Sequence, residues 1–467
     1  MSEDIKPQLN TTFIPEKSGN SEKYKTLTGV RDMDPSATTE SLREEMREKV
    51  KVTPNAAATE LAAALSNVNN KAIRYGVLGS GHGGSRLAEQ FYQFGYKVCV
   101  TNTSQQDLHH INLPQENKLF MDYALGGAGK DMDIGSAATT ESEPQIKAMI
   151  DNVFGSNAGT IDAFVLCIGG GGGTGTGSCV PLISILSDYG LPITILYTLP
   201  MTSEGTITKS NAINGLDKLA QLSVNKLING LVIVDNARIE ELYSGVSLGS
   251  FFKVANFDIA NIFNTFNTLS SLPTQYTAID PMDFAKIMTS GGCTIYGKVE
   301  IPLHIENGQV TMTEDDIAEM LLQNLQNGLL AEGFNVAEAF RFGVYITAKA
   351  QYLDQISAST FNYAFASLNE ELKRADMFKG IYADERLNDS LVIYLLIGGV
   401  GLPRERIEML KDQAASDVEE MEEKSQHMRA NMEVFQQQSN KETDKYKQMK
   451  KQNTTFGKMV NRRRSRN

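Results

Sequence analysis

A chain of 467 residues with 44 Lys and Arg against 56 Asp and Glu carries a net charge of −12 and is long enough for two or three domains around a large core. Its 41% hydrophobic and 21% charged residues are ordinary for a soluble globular protein, and the acidic total argues against a nucleic-acid binder taken whole. Cys99, Cys167, Cys179 and Cys293 form neither a disulfide framework nor a metal spacing, no apolar run reaches the ~20 residues of a membrane span, and MSEDIKPQLN lacks the features of a signal peptide, so a reducing cytoplasm is expected and no membrane partner.

Residues 1–70 are polar and read as an extension outside the core. At Ile73 the texture changes: IRYGVLGSGHGG is an apolar run opening into glycines, followed by a helical stretch to Gly95 and a second apolar run, YKVCVTNTS. This strand, Gly-rich turn, helix, strand rhythm recurs through AFVLCIGGGGGTGTG, LPITILYTLP and GLVIVDN, which predicts an open parallel α/β sheet over residues 71–250. Apolar residues at 255, 259, 262, 263, 266 and 269 then predict a long central helix, residues 251–272. A smaller α/β region follows over 273–402, with Thr313 and Asp316 marking a capping box ahead of Ile317, Leu321, Leu325 and Leu329. After Pro403, apolar residues from Ile407 to Phe435 recur every three or four positions, giving a long helix over 403–440. From Lys441 to Asn467 ten Lys and Arg face two acids, a flexible basic tail of +8 on a remainder of −20.

The sharpest motif is GGGGGTGTG at 169–177, between a buried strand and a helix. Glycines there bring backbone N–H groups close to an anion, and the helix N-terminus adds partial positive charge, so a di- or triphosphate fits, with Thr174 and Thr176 as hydroxyl donors. No Lys follows, so the loop is not a Walker A motif. The first strand–helix turn, Gly79 to Gly84, has the GxGxxG form, and the two loops would converge on one ligand at the carboxyl ends of the strands. Ser104 stands where a nicotinamide enzyme wants an acid, which weighs against that reading.

GGGTGTG (171–177) resembles the phosphate-binding signature of the tubulin/FtsZ family, and GSGHGGS, NTSQQDL, GGAGKDMDIG, TLPMTSEG, VDN and ANFDIANIF follow in family order over residues 71–400. LGSGHGG, GGAGKD and the long charged C-terminal helix with its basic tail look most like the plasmid- and phage-borne bacterial tubulins, the TubZ group. The resemblance implies a Rossmann-like parallel-sheet GTPase domain, a central helix, an activation domain that stimulates hydrolysis, and GTP/GDP with Mg²⁺ as cofactors. It implies that Gly79, Ser80, Gly81, His82, Gly83 and Gly84, together with Gly171, Gly172, Gly173, Thr174, Gly175, Thr176 and Gly177, cradle the phosphates. Gly127, Ala128, Gly129 and Lys130 close near the γ-phosphate, Asn102 and Ser104 belong to the second loop, and Glu204 matches the ribose-contacting acid. Asn236 and Asn256 match the residues that read guanine, with Phe252 packed on the base; core packing is the alternative for Phe252. A local structural role is the alternative for His82.

AIDPMDFA (278–285) resembles the family's catalytic loop, in which Asp280 and Asp283 would enter the nucleotide site of the next subunit; Asp280 also suits an N-cap before Pro281. Thr208, Ser104 and Ala278 stand where the cell-division members carry Arg, Asp and Asn. The expectation is a head-to-tail filament that turns over GTP and moves plasmid or phage DNA, its tail engaging a DNA-bound adaptor or DNA phosphates directly. An FtsZ-like division-ring protein and a non-hydrolysing filament remain the alternatives.

Overall fold

A computed structural model describes residues 71–464 apart from 124–125, 244–246, 328–331 and 374; the expectations for residues 1–70, for Leu329 and for the last three residues of the tail lie outside the described residues. The first half lays down β1 (Tyr75–Ser80), β2 (Lys97–Asn102), β3 (Lys118–Phe120), β4 (Ala163–Gly169), β5 (Ile193–Leu199) and β6 (Gly230–Asp235). All pair in parallel in the order β3-β2-β1-β4-β5-β6, the doubly wound arrangement that reverses direction between β1 and β4. Helices α1 (Gly81–Tyr92), α2 (Gln105–His109), α3 (Met132–Glu141), α4 (Glu143–Phe154), α5 (Gly173–Ser187), α6 (Thr206–Val224) and α7 (Asn236–Leu242) form the crossovers. The apolar runs YGVLGS and ITILYTL are buried along their whole length, as strands covered on both faces must be. All four cysteines are buried free thiols whose pKa values burial pushes up, which removes them from nucleophilic or redox duty.

The central helix α8 runs Leu248–Leu269, three residues earlier at each end than the apolar spacing implied, because Ser247 is already extended and Ser270 closes the last turn. The six spaced apolar positions are buried, and so are Asn261, Asn264, Thr265, Asn267 and Thr268 on its other faces. Asn267 explains one of these: its amide holds both the N–H and the C=O of Ile73, at 2.8 and 2.9 Å, just ahead of β1. The carboxyl half of α8 therefore lies at the amino edge of the parallel sheet.

Beyond α8 come α9 (Pro281–Met288), β7 (Cys293–Pro302), the small hairpin β8 (Ile305–Glu306) and β9 (Gln309–Val310), α10 (Glu314–Asn327), β10 (Arg341–Ala348), α11 (Ala350–Leu353), α12 (Ala358–Glu371), β11 (Asp376–Ala383) and β12 (Ser390–Val400). Thr313 and Asp316 form the reciprocal cap of α10, and the Thr313 donors hold the Asp316 carboxyl below its usual range. The smaller region does not build a separate main sheet. Its strands continue the first in the order β7-β12-β10-β11, joined only where Leu231 and Val232 meet Cys293 and Thr294.

The last helix, α13, spans Arg404–Arg464, 61 residues or about 92 Å. This corrects the flexible tail expected from residue 441: the segment contains no Pro, one Gly, and many Lys, Gln, Met and Arg, all strong helix formers, with its positive charge at the favourable end of the helix dipole. Leu410 and Ala414 are buried, whereas Val418, Met421, Met428 and Met432 of the same stripe are exposed, so the described apolar residues of the stripe are buried in its first turns and exposed beyond them. Among the described residues no helix is long and apolar enough to cross a membrane.

Candidate functional site

The carboxyl ends of β1, β4 and β5 each lead into a helix whose N-terminus no side chain caps: α1 after Ser80, α5 after Gly172 and α6 after Gly205. The first N–H groups of an uncapped helix have no partner within the helix and carry its positive partial charge, which makes them anion donors. Two of these termini touch. A Cβ on Gly81 (φ +70°) would lie 2.7 Å from the Gly175 nitrogen, so only glycine allows the starts of α1 and α5 to meet there.

Side chains beneath the loops are engaged within the fold. Ser80 is fully buried and its hydroxyl pairs with those of Ser178 (2.7 Å) and Thr101 (3.2 Å). The Thr174 hydroxyl meets that of Thr103 at 2.6 Å, and the Thr176 oxygen accepts from the Gly171 N–H at 2.8 Å. The hydroxyls of Thr174 and Thr176 thus brace the turn. Asn102 donates to Asp107 at 3.2 Å and accepts from the Ser104 N–H, Ser104 caps α2, and His82 Nδ1 lies 3.1 Å from Asp107. His82 thus joins a local network with Asp107 and Asn102.

The Gly127–Lys130 turn closes over this floor. Gly127 (φ +145°) and Gly129 (φ +56°) stand in open space, Ala128 is buried, and Lys130 itself has φ +65°. Lys130 donates to the Thr208 hydroxyl at 2.8 Å. Asn211 fixes this arrangement by donating to the carbonyls of Lys130 (2.8 Å) and Gly171 (3.2 Å). Sequence reading missed Asn211; its one signal is a polar amide one turn beyond Thr208 on α6.

Glu204 sits half-buried in the turn after β5 and accepts from the Met201 N–H at 3.3 Å. Asn236 opens α7, capped by Asp235, and Asn256 is half-buried on α8. Tyr243, at the end of α7, donates to Asp258 at 2.6 Å and so holds the helix of Asn236 against that of Asn256; burial raises the Asp258 carboxyl above its usual range. Phe252 is 40% exposed, which sets aside its reading as core, while Phe251 beneath it is buried and meets it edge-on at 5.1 Å.

Asp280 and Asp283 are not part of this assembly. Asp280 is exposed and caps α9 by accepting from the Asp283 N–H at 2.8 Å; Asp283 is half-buried, 3.4 Å from Lys286. They follow α8, 22 residues or about 33 Å long, whose carboxyl half lies at the amino edge of the sheet, whereas the glycine-rich turns lie at the carboxyl ends of β1 and β4. A cavity of about 340 Å³ lies beside the far half of α8, lined by Thr265, Leu269, Tyr382 and Tyr394, apart from the candidate site. Among the described residues no group of three or more His, Cys, Asp or Glu could hold a metal.

Residues 55–244 match the profile of the tubulin/FtsZ family, GTPase domain, and residues 264–411 that of the tubulin/FtsZ-like protein TubZ-like, C-terminal domain. The tubulin-like protein TubZ of Bacillus thuringiensis subsp. israelensis is 23% identical over 414 residues, covering 78% of this chain and 80% of that protein. Cell division protein FtsZ 1 of Archaeoglobus fulgidus is 23% identical over 335 residues, covering 70% and 82%. The crystal structure of a GTPγS-form protofilament of Bacillus thuringiensis serovar israelensis TubZ superposes with a TM-score of 0.69 at 19% identity, over 81% of this chain and all of that one.

Proposed function

The chain belongs to the tubulin/FtsZ family of GTPases, and from that premise we propose that it is a cytoplasmic filament protein that hydrolyses GTP only where two subunits meet head to tail. The observation that carries this is that Asp280 and Asp283 follow α8, whose carboxyl half lies at the amino edge of the sheet, whereas the glycine-rich turns lie at its carboxyl edge. The acids cannot reach their own subunit's nucleotide, but stacking subunits with the amino edge of one on the carboxyl edge of the next would bring them to the neighbour's. Such a contact is heterologous and does not close, so it propagates.

In this reading the N-termini of α1 and α5 bind the phosphates, Lys130 stands at the γ-phosphate end, and Glu204, Asn236, Asn256 and Phe252 take the ribose and guanine. Asp280 and Asp283 orient the attacking water from across the junction. Mg²⁺ bound with the nucleotide would supply charge neutralisation of the phosphates. The test is phosphate release per subunit as a function of protein concentration. A threshold coinciding with the first sedimentable polymer is expected, and a rate per subunit independent of concentration would overturn the reading.

The likeness of the C-terminal region to TubZ and the basic end of α13 support a role in plasmid or phage DNA positioning, with residues 441–467 engaging a DNA-bound adaptor or DNA phosphates directly. A chain ending at residue 440 should turn over GTP normally yet lose its retention on adaptor-coated DNA. Retention equal to that of the full chain removes the tail from this role.

A further inference from the structure

A buried ion pair joins the C-terminal helix to the guanine end of the candidate site. Arg406, in the first turn of α13, and Asp235, the last residue of β6, are 5% and 2% exposed. The guanidinium grips the carboxylate through both oxygens, Nε to Oδ2 at 2.6 Å and Nη2 to Oδ1 at 3.1 Å, and Nη2 also donates to the Pro200 carbonyl at 3.1 Å. Asp235 does a second job: it accepts from the Ala237 N–H at 3.1 Å and so fixes the first turn of α7, in which Asn236 sits. Pro200 directly follows β5 and opens the stretch that carries Glu204. One side chain from a helix 171 residues away thus holds, from behind, both segments that would meet the nucleoside.

We propose that Arg406 is a positioning residue for nucleotide recognition. Without touching the nucleotide, it sets the places of Asn236 and Glu204 through Asp235 and Pro200, and so determines how strictly guanine is distinguished from other bases. The inference rests on the GTP reading above. Arginine is needed because three donors must leave one planar group in fixed directions; a lysine ammonium keeps the charge but loses the fork. A second bridge from the same helix, Asp417 to Lys209 at 2.9 Å, docks α13 on α6 but does not touch Asp235 or Pro200, which makes it a natural control.

The experiment compares GTP, ITP and ATP binding to unassembled full-length protein, with hydrolysis measured separately on the assembled protein. ITP lacks the 2-amino group that an asparagine carbonyl would accept from. Arg406→Lys should lower the preference for GTP over ITP roughly tenfold. KM for GTP should rise while kcat at saturation stays within about twofold of wild type. Asp417→Asn should leave the preference unchanged. Where Arg406→Lys does not fold, the neutral pair Asp235→Asn with Arg406→Gln replaces it, and the same loss of preference is expected because the Pro200 contact is gone. Wild-type preference in the Arg406 variants overturns the inference, as does an equal loss in Asp417→Asn, which would assign the effect to helix docking in general. A wild-type chain that binds ATP as well as GTP overturns the GTP reading and this inference with it; a guanine-selective wild type with an equally selective Arg406→Lys overturns the inference alone.

Discussion

Asp280→Asn protein should bind GTP as tightly as wild type and form filaments, yet lose hydrolysis in the assembled state by about 10²–10⁴-fold, the contribution expected of a group that handles the proton of an attacking water. Asparagine is the informative replacement. Asp280 also caps α9, and Asn caps as well as Asp, whereas Ala would add a loss of about 1 kcal/mol of helix stability to the chemistry. Binding should be spared because Asp280 follows α8, whose carboxyl half lies at the amino edge of the sheet, whereas the glycine-rich turns lie at the carboxyl edge. Asp283→Asn should behave alike, with the added release of Lys286. The measurement is phosphate release from sedimented polymer, paired with GTP affinity in dilute protein. Wild-type turnover in polymer of either variant sinks the assignment of that acid, and a fall in dilute-state affinity would mean that the acids act within one subunit.

Gly177→Ala is expected to have the largest effect on stability among the loop glycines. Its Cβ would lie 2.1 Å from the carbonyl oxygen of Met132, the first residue of α3, so two helix backbones would have to separate. Overpacking of this kind costs about 3 kcal/mol. At about 2–4 °C per kcal/mol for domains of 150–250 residues, Tm should fall by several degrees. GTP affinity should fall too, because α3 follows directly on the Lys130 turn. Gly172→Ala makes the contrast: nothing lies within 4 Å of its Cβ position and its φ of −76° suits any residue, so Tm should not change. A loss of GTP affinity in that variant would come from the ligand side of the loop. Equal Tm values for Gly177→Ala and wild type would mean that α3 and α5 are free to move apart.

The glycine motifs made the parallel sheet and its anion-binding edge legible, because backbone that approaches backbone excludes a Cβ and leaves a trace in local sequence. The spacing of apolar residues showed α8 for the same reason: burial of one face is periodic. Neither signal reaches polar residues whose partners are far along the chain. Asn267 reads as a surface amide until Ile73 is beside it, Asn211 until Lys130 and Gly171 are, and Arg406 as one more charge on a charged helix until Asp235 meets it. The hydroxyls of Thr174 and Thr176 were legible as groups but not in their direction, since bonds to Thr103 and Gly171 turn them inward.

The sequence alone determined that this chain sets glycine-rich turns at the ends of parallel strands and that its charge divides into an acidic body and a basic end. It did so because glycine spacing and charge are local properties. Only the tertiary structure decided that the two acids of the 278–285 loop stand at the opposite edge from those turns, since their place is set by how α8 lies on the sheet. It alone decided, too, that the basic end continues one helix instead of trailing free, and that the root of that helix is bolted to Asp235, because an ion pair across 171 residues exists only once the chain has folded.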